Sequence, residues 1–285
     1  MPSSGLPFTK MHGCGNDYVV VDATSRVLED PGALARRMTD RRRGVGADGL
    51  LLALEGDGGD LRMRMFNADG SEAGMCGNGL RCLVKFAWER GLVPRRREGD
   101  VQTGAGTLHW WVESLDGPRV DLVTIDMGRP RLDARAIPME GGEGPMIDVA
   151  LEVGDGTWRV SAVSMGNPHV VIWVDDVDEV ALATVGPLFE HHPAFPEGTN
   201  TEFVRIVSPE EVEQRTWERG CGETLACGTG ASAVVVAGVE SGRLARDVRV
   251  RLRGGELRIR YDEHDGHVRM TGPAVEVFEG VWPPG

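Results

Sequence analysis

An internal repeat constrains the fold of this chain more than any other feature. The segments SEAGMCGNGLRC (71–82) and GETLACGTGASA (222–233) each hold a cysteine followed directly by Gly-X-Gly, and the cysteines coincide at an offset of 151 residues. Upstream, CGNDYVVV (14–21) aligns with MGNPHVVI (165–172) at the same offset. Single glycine matches are common in a chain with 40 glycines, but two separated motifs in one register are not. The sequence therefore predicts two copies of one domain.

The register of the repeat also sets the expected domain bounds. The first copy is expected to cover residues 1–122 and the second residues 123–270. The last stretch, 271–285, has no place in the second copy. We expect it to cross back and complete the sheet of the first domain.

Hydrophobic patterning places a helix after each repeated cysteine. Residues 77–90 and 228–241 are the longest apolar stretches with few breakers, and they end at Gly91 and Gly242, as helices commonly do. The second stretch is apolar on nearly all sides, which favours a helix enclosed by sheet. Short apolar or alternating runs predict strands at 18–22, 50–54, 61–66, 170–174, 248–252 and 257–259. Each half is therefore predicted as a shell of strands around one central helix.

Composition excludes several classes of function. The chain has 285 residues and a formal net charge of −13, which argues against a general nucleic-acid or membrane-surface binder. No apolar run approaches the roughly 18 residues of a membrane helix. The first ten residues, MPSSGLPFTK, lack the pattern of a secretory signal. The run Arg41-Arg42-Arg43 is interpreted as a solvated face.

The five cysteines are sparse, odd in number and without a CxxC pair. This pattern is typical of reduced thiols in the cytoplasm and favours neither a disulfide framework nor a zinc site. Cys82 and Cys14 fit the common role of a small buried hydrophobe. Cys76 and Cys227 instead precede predicted helix starts, where about half a positive charge stabilises thiolate and binds carboxylate. Two such helix ends, facing each other, are expected to hold one carboxylate between two thiols.

Other polar residues occupy matching loops in the two copies. An asparagine in a turn is usually only a turn residue, but together these residues suggest a shared cleft. The histidine at the repeated strand is either a satisfied core residue or a partner that tunes a thiol. The residues concerned are Asn16 with Asn167, Asn67 with Glu218, Gly49 with Asn200, and His169.

With these motifs the chain resembles the diaminopimelate epimerase family over nearly its whole length. The motifs are KMHGCGNDYVVVD (10–22), RRRGVGADGLLL (41–52), MFNADGSEAGMCGNGLRC (65–82), VSMGNPHVV (163–171), FPEGTNTEF (195–203) and WERGCGETLACGTGA (217–231). The resemblance implies an α+β fold of two pseudo-symmetric domains, each a mixed, mostly antiparallel β-barrel-like sheet wrapped around a central α-helix. It implies a cytoplasmic, homodimeric isomerase that interconverts LL- and meso-2,6-diaminopimelate for lysine and peptidoglycan synthesis, with no cofactor, metal, nucleic acid or membrane partner.

The resemblance also implies roles for individual residues. Cys76 and Cys227 become the acid/base pair, with Cys227 as proton acceptor and Cys76 as donor when LL-diaminopimelate is the substrate. His169 and Glu218 become tuners of the thiol pKa. The implied substrate contacts are the cradle Gly77, Asn78, Gly228 and Thr229 together with Asn16, Asn67, Asn167, Asn200, Glu218 and Arg219.

The chain departs from the family pattern at two positions. Gly49 stands where many members have glutamine, so one side-chain contact is missing or replaced. Phe278 stands at the place of an interface tyrosine, so a hydroxyl bond across the dimer is lost.

Two alternatives remain from the sequence. One is a proline or hydroxyproline racemase-like enzyme of the same architecture, or a racemase for another amino acid. Arg219 and Glu218 argue against it, since they can bind a second carboxylate and ammonium that a monocarboxylate substrate lacks. The other alternative is a thiol-redox or structural protein in which Cys76 and Cys227 form a regulatory disulfide.

Overall fold

The structure, a computed structural model, describes residues 5–57 and 61–284. The contacts of the chain divide it into two compact units. The first unit runs from the first described residue to Ile125 and takes in the chain from Thr271 onward, and the second is Asp126–Met270. These bounds lie within three residues of those expected from the repeat.

The first unit holds two helices and a strand-rich sheet. Its elements are β1 (Leu6–Gly13), β2 (Asn16–Asp22), α1 (Pro31–Thr39), β3 (Gly49–Glu55), β4 (Leu61–Asn67), β5 (Glu72–Ala73), α2 (Gly77–Glu89), β6 (Glu98–Thr103), β7 (Gly106–Asp116), β8 (Arg119–Asp126) and, from the C-terminal segment, β18 (Val275–Trp282). Strand β18 pairs antiparallel with β1.

The second unit begins with a short 3-10 helix at Ala134–Ala136, and from β10 onward it repeats the element order that the first unit has from β1 onward. Its elements are β9 (Val149–Val153), β10 (Gly156–Ser164), β11 (Pro168–Trp173), α3 (Leu182–Glu190), β12 (Asn200–Ser208), β13 (Glu211–Glu218), β14 (Gly222–Thr224), α4 (Gly228–Glu240), β15 (Asp247–Leu252), β16 (Gly255–Tyr261) and β17 (Val268–Pro273), whose last residues belong to the first unit.

The strands of the two units follow one pairing pattern. In the first unit β1–β2 is antiparallel, β2–β3 parallel, β3–β4 antiparallel, β4–β6 parallel and β6–β7 antiparallel. In the second unit β10–β11, β11–β12, β12–β13, β13–β15 and β15–β16 repeat this order. The register repeats as well, since Tyr18 lies opposite Gly49 and His169 opposite Asn200. The predicted α+β fold with two pseudo-symmetric halves is confirmed.

In each unit the strands enclose the helix that follows the repeated cysteine. Helix α2 packs on β1 to β4, and α4 packs on β10 to β12, β15 and β16. Nearly every residue of α4 is buried, as its apolar composition predicts. Helix α2 is equally enclosed, and its buried Lys85 is satisfied by Glu89 at 2.7 Å and by the carbonyl of Val120.

A second apolar layer covers the other face of each sheet. Val19, Val21, Leu50 and Leu52 pack against α1 in the first unit, while Tyr18 and Leu51 point to α2. A strand that is covered on both faces carries apolar residues at consecutive positions, and β2 and β3 show such continuous apolar runs in the sequence. In the second unit Phe189 of α3 fills the equivalent layer. Within the described ranges, no helix has the length and apolar character needed to cross a membrane.

Candidate active site

The first half-site surrounds the thiol of Cys76, the N-cap of α2. The Tyr18 Oη lies 2.9 Å from the Cys76 Sγ, and the Asn16 Oδ1 lies 3.8 Å from it. The same Asn16 oxygen also bonds the Tyr18 hydroxyl and accepts from the Asn78 Nδ2 at 3.4 Å. Three predicted site residues (Asn16, Cys76 and Asn78) are thus brought together by β2 and the start of α2, with Gly77 as the first helical residue.

An ion-pair network fixes the side chain of Asn16. The Asn16 Nδ2 donates to the Asp48 Oδ2 at 2.7 Å, so its Oδ1 must face the thiol. Arg41 donates to Asp48 at 2.7 Å and to Asp17 at 2.8 Å. Burial raises the pKa of Asp17, but hydrogen bonds from Arg41 and Lys10 outweigh it and lower the value to about 2. The Arg41 side chain is 59% exposed, as expected for a solvated face, and it also forms these ion pairs.

Two other cysteines of the first unit, Cys14 and Cys82, are buried, and the Arg81 Nη2 donates to the Cys14 Sγ at 3.9 Å. Burial raises the pKa of Cys82 to about 12, and burial also raises the pKa of Cys14. Both stay protonated at neutral pH, which agrees with their interpretation as small buried hydrophobes. Cys221 is exposed on a turn. None of the five cysteines, all of which lie in the described ranges, is joined in a disulfide.

The second half-site surrounds the thiol of Cys227, the buried N-cap of α4. The backbone N–H of Gly230 donates to the Cys227 Sγ at 3.4 Å, and the Thr229 hydroxyl lies 3.4 Å from the same sulphur. The Asn167 Nδ2 donates to the Thr229 Oγ1 at 3.3 Å. The loop before β11 is thereby tied to the start of α4, of which Gly228 is the first residue.

A buried histidine–carboxylate pair lies beside Cys227. The His169 Nδ1 is 2.9 Å from the Glu202 Oε1, and its Nε2 is 3.1 Å from the Asn167 Oδ1, so the ring is held in one orientation. The Glu202 Oε2 accepts from Gln214 and from Thr216, each at 2.6 Å. Both His169 and Glu202 are fully buried, which only such complete hydrogen bonding makes tolerable.

Helix α4 approaches Glu202 so closely that only glycine fits at the contact. A Cβ at Gly230 would lie 2.2 Å from the Glu202 Oε1. Its repeat mate Gly79 faces Leu51 instead, with a Cβ distance of 3.2 Å. The second glycine of each Gly-X-Gly therefore lets the helix start close to the neighbouring strand.

The same three groups have the donor types of a metal site. The Cys227 Sγ, a His169 ring nitrogen and a Glu202 oxygen lie within 4.8 Å of one another. Both oxygens of Glu202 already accept hydrogen bonds, and a closed zinc site takes four ligands. The donor set therefore favours a proton-transfer site over a structural metal centre.

The pKa of Cys227 is raised, whereas its position at a helix start is expected to lower it. Burial, followed by the charges of Glu218 and Glu202, raises the pKa of Cys227 well above its ordinary value. Hydrogen bonds from Thr229 and from the N–H of Gly230 lower the pKa, as a helix start should, but they are outweighed. At Cys227 the stabilisation of thiolate by the helix start is therefore smaller than the opposing effect of burial and of the two carboxylates. Glu218 does act on the thiol, as a group that raises its pKa.

Arg219 and Asn200 form a separate group in the second unit. The Asn200 Oδ1 accepts from the backbone N–H of Arg219 at 3.0 Å, and its Nδ2 donates to the carbonyl of Pro168 at 2.8 Å. The Arg219 Nη1 donates to the carbonyl of Glu197 at 2.7 Å. Asn200 thus holds the backbone that carries the arginine.

Asn67 and Gly49 lie opposite each other on β4 and β3. The Asn67 Nδ2 donates to the Ser71 Oγ at 3.0 Å, within its own turn. A Cβ at Gly49 would lie 2.8 Å from the carbonyl oxygen of Phe66. A larger residue at position 49 would therefore require a shift of these strands, which gives the departure at Gly49 a physical reason.

Sequence reasoning missed two residues that the structure puts beside the thiols. The sequence pattern predicts only a strand at Tyr18, although this residue is the repeat mate of His169 and so stands at an equivalent position. Glu202 lies within the quoted motif FPEGTNTEF, but a single acidic residue in a strand gave no signal of its contact with His169. The repeat offset was the signal that could have found Tyr18.

Comparison with known proteins finds similarity over nearly the whole chain. A family model described as diaminopimelate epimerase matches residues 8–132 and 161–277. The diaminopimelate epimerase of Desulforudis audaxviator is 54% identical over 97% of this chain and 99% of its own, and that of Moorella thermoacetica is 51% identical over 98% and 99%.

Solved structures show the same fold at low identity. A hydroxyproline epimerase from Agrobacterium vitis, solved with bound trans-4-hydroxy-L-proline, has a TM-score of 0.70 and 16% identity, covering 98% of this chain and 92% of its own. A Bacillus anthracis phenazine biosynthesis protein of the PhzF family also has a TM-score of 0.70, with 17% identity over 96% and 98%. These two likenesses concern the fold alone.

Proposed function

The chain belongs to the diaminopimelate epimerase family, and on this premise we propose that it interconverts LL- and meso-2,6-diaminopimelate with Cys76 and Cys227 as its acid/base pair. One observation carries the assignment of these two residues. Each unit places its repeated cysteine at the N-cap of an enclosed helix, next to an asparagine from the preceding strand loop. The other three cysteines occupy no such position.

Inversion at an α-carbon requires a base on one face and an acid on the other. With the LL isomer, we assign Cys227 as the acceptor of the α-proton and Cys76 as the donor to the opposite face. The pair then shares one proton, and its two titrations belong to the pair as a whole. The raised pKa of Cys227 suits the acceptor, because its thiolate is a stronger base for a weakly acidic carbon.

The helix starts supply the electrostatic part of this mechanism. Loss of the α-proton delocalises negative charge onto the carboxylate of the reacting centre. The backbone N–H groups of Gly77, Asn78, Gly228 and Thr229 are assigned to this carboxylate, because helix N-termini bind anions. Donors aimed at charge that grows during the reaction lower its barrier.

The distal amino-acid head distinguishes this substrate from proline. We assign its carboxylate to Arg219, which is held by Asn200, and its ammonium to Glu218. Asn16, Asn67 and Asn167 are assigned to the remaining polar groups of the substrate. His169 is assigned as a residue that tunes the neighbouring thiol, supported by its distance to Cys227 of at most 4.8 Å.

Replacement of Arg219 by alanine tests the substrate assignment. Purified wild-type protein in dithiothreitol should convert LL- to meso-diaminopimelate, followed by chiral chromatography, and should leave proline unchanged. Arg219→Ala should lower kcat/KM by about 10- to 150-fold, since a charged hydrogen bond contributes about 1.5–3 kcal/mol. Arg205→Ala, which removes an exposed arginine from the same unit, is the matched control and should change little. Wild-type kinetics in Arg219→Ala would reopen the choice of substrate.

We further propose that the reaction needs neither pyridoxal phosphate nor metal, because the two thiols supply both proton transfers. A reducing compartment is required to keep these thiols reduced, so the cytoplasm is the proposed location. A role in lysine and peptidoglycan precursor synthesis follows from the substrate.

A homodimer is proposed from the surface of β18. Four apolar side chains of this strand are exposed, and an apolar row of this kind is characteristic of association surfaces. Phe278 is 47% exposed and packs edge-on against Phe8, with ring centroids 6.1 Å apart. The exposed row comprises Val275, Val277, Phe278 and Val281.

A charge placed in this row should separate the subunits. Phe278→Glu should shift the mass measured by sedimentation velocity from dimer to monomer at micromolar concentration, because an unpaired buried charge strongly disfavours the interface. Val27→Glu, at a valine that is 93% exposed on a loop, adds the same charge elsewhere and should leave the dimer intact. A monomeric wild type, or an unchanged mass in Phe278→Glu, would contradict this interface.

A further inference from the structure

The two half-sites share one backbone design but differ in the side chains beside their thiols. At the offset of the repeat, Tyr18 occupies the position of His169, and Leu51 occupies that of Glu202. The second thiol therefore lies beside a histidine and a carboxylate. The thiol of Cys76 lies 2.9 Å from the Tyr18 hydroxyl, and the residue at the position of Glu202 is the aliphatic Leu51.

Hydrogen-bond donors and acceptors around Tyr18 define where its proton lies. Asp48 takes the amide N–H of Asn16, so the Asn16 Oδ1 can act only as an acceptor toward Tyr18. Tyr18 has a single hydroxyl proton, and it is donated to this oxygen. The 2.9 Å contact between Tyr18 and Cys76 must then be made by the S–H of Cys76 donating to the phenol oxygen.

This arrangement changes when Cys76 loses its proton. A thiolate can only accept, and the phenol oxygen 2.9 Å away is also an acceptor unless its proton turns toward the sulphur. The Asn16 Oδ1 keeps a second donor, the Asn78 Nδ2 at 3.4 Å, so the Tyr18 proton can leave this oxygen without leaving it unpaired.

We propose that the Tyr18 hydroxyl is a two-position hydrogen-bond switch that stabilises the thiolate of Cys76 in each catalytic cycle. The inference rests on the proposed function of Cys76. When Cys76 gives its proton to the substrate carbon, the S–H electron pair stays on sulphur and the Tyr18 O–H rotates from the Asn16 Oδ1 to the Sγ. When the thiolate takes up an α-proton, Tyr18 returns to Asn16.

Tyr18 keeps its own proton throughout this cycle. It is fully buried, and burial followed by the adjacent Cys76 charge raises the pKa of Tyr18 well above its ordinary value. The phenol therefore acts only as a donor to the thiolate. His169 has no corresponding freedom, since both of its ring nitrogens face acceptor oxygens.

The pH dependence of Cys76 alkylation tests the switch without relying on turnover. Wild type and Tyr18→Phe are pulsed with iodoacetamide across a pH series, and the labelled peptides are quantified by mass spectrometry. Loss of a hydrogen bond to a charged group should raise the apparent pKa of Cys76 by about one to two units and lower kcat/KM by about tenfold or more. Cys227 in the same samples should keep its profile.

The chain offers a matched control, because its only other tyrosine is Tyr261 in the second unit. Tyr261→Phe removes the same hydroxyl and should leave the Cys76 profile and kcat/KM unchanged. If Tyr18→Phe fails to fold, the Tyr261→Phe protein grown on 3-fluorotyrosine carries fluorine at position 18 alone. Its ¹⁹F resonance should then titrate at the pH of Cys76 alkylation and should stop doing so in Cys76→Ala.

The outcomes separate this inference from the proposed function. A Cys76 alkylation profile that is the same in Tyr18→Phe and wild type, or a ¹⁹F signal insensitive to Cys76, overturns the switch even if Cys76 is essential. Full activity in Cys76→Ala overturns the proposed function whatever the fluorine signal shows.

Discussion

Cys76→Ala and Cys227→Ala are each expected to lower kcat/KM for LL-diaminopimelate by at least about 10²–10⁴-fold, the range for loss of a general acid or base. Each variant keeps one of the two proposed catalytic thiols, but inversion needs a proton removed on one face and another delivered on the opposite face. The loss should therefore be of similar size in both variants and in both directions of the reaction. Stopped reactions analysed by chiral chromatography measure it directly.

The other cysteines serve as controls for this experiment. Cys221→Ala removes an exposed thiol six residues before Cys227, and Cys82→Ala removes a buried one six residues after Cys76. Both variants, like Cys14→Ala, should keep most of the activity, provided that circular dichroism shows a folded protein. Substantial turnover in Cys76→Ala or Cys227→Ala would contradict the two-thiol mechanism.

The repeat made the fold largely predictable from sequence. Once two motifs share a register, each half must hold the same strands and the same enclosed helix, and the pairing order of the two units shows this. Helices α1 and α3 were not predicted. Helix α1 has only nine residues, and α3 contains Pro187 and Gly186, so neither shows a long uninterrupted helical pattern.

The candidate site was predictable in its positions but not in its electrostatics. A cysteine before Gly-X-Gly marks a helix N-cap, and the structure places Cys76 and Cys227 there. Whether the thiol ionises depends on burial and on charges from distant segments, as Glu202 shows at Cys227. Burial and the charges of distant residues both arise from tertiary packing, which a local motif does not encode.

The position to which the abstracted proton returns distinguishes a two-base mechanism from a one-base mechanism. With a single base, the removed proton exchanges with solvent and can return to either face, so substrate and product both acquire solvent label. With two thiols, the abstracting Cys227 holds the proton of the substrate, while Cys76 delivers one already exchanged with solvent. Label should then enter only at the inverted carbon.

The most direct test of this account is therefore a reaction begun with LL-diaminopimelate in D₂O and stopped at low conversion, before back-reaction contributes. Mass spectrometry of the separated isomers should find about one deuterium in each meso molecule, at the inverted α-carbon, and almost none in the recovered LL isomer. Deuterium in the recovered LL isomer at a level comparable to that in the product would contradict the account, because a single base would then serve both faces.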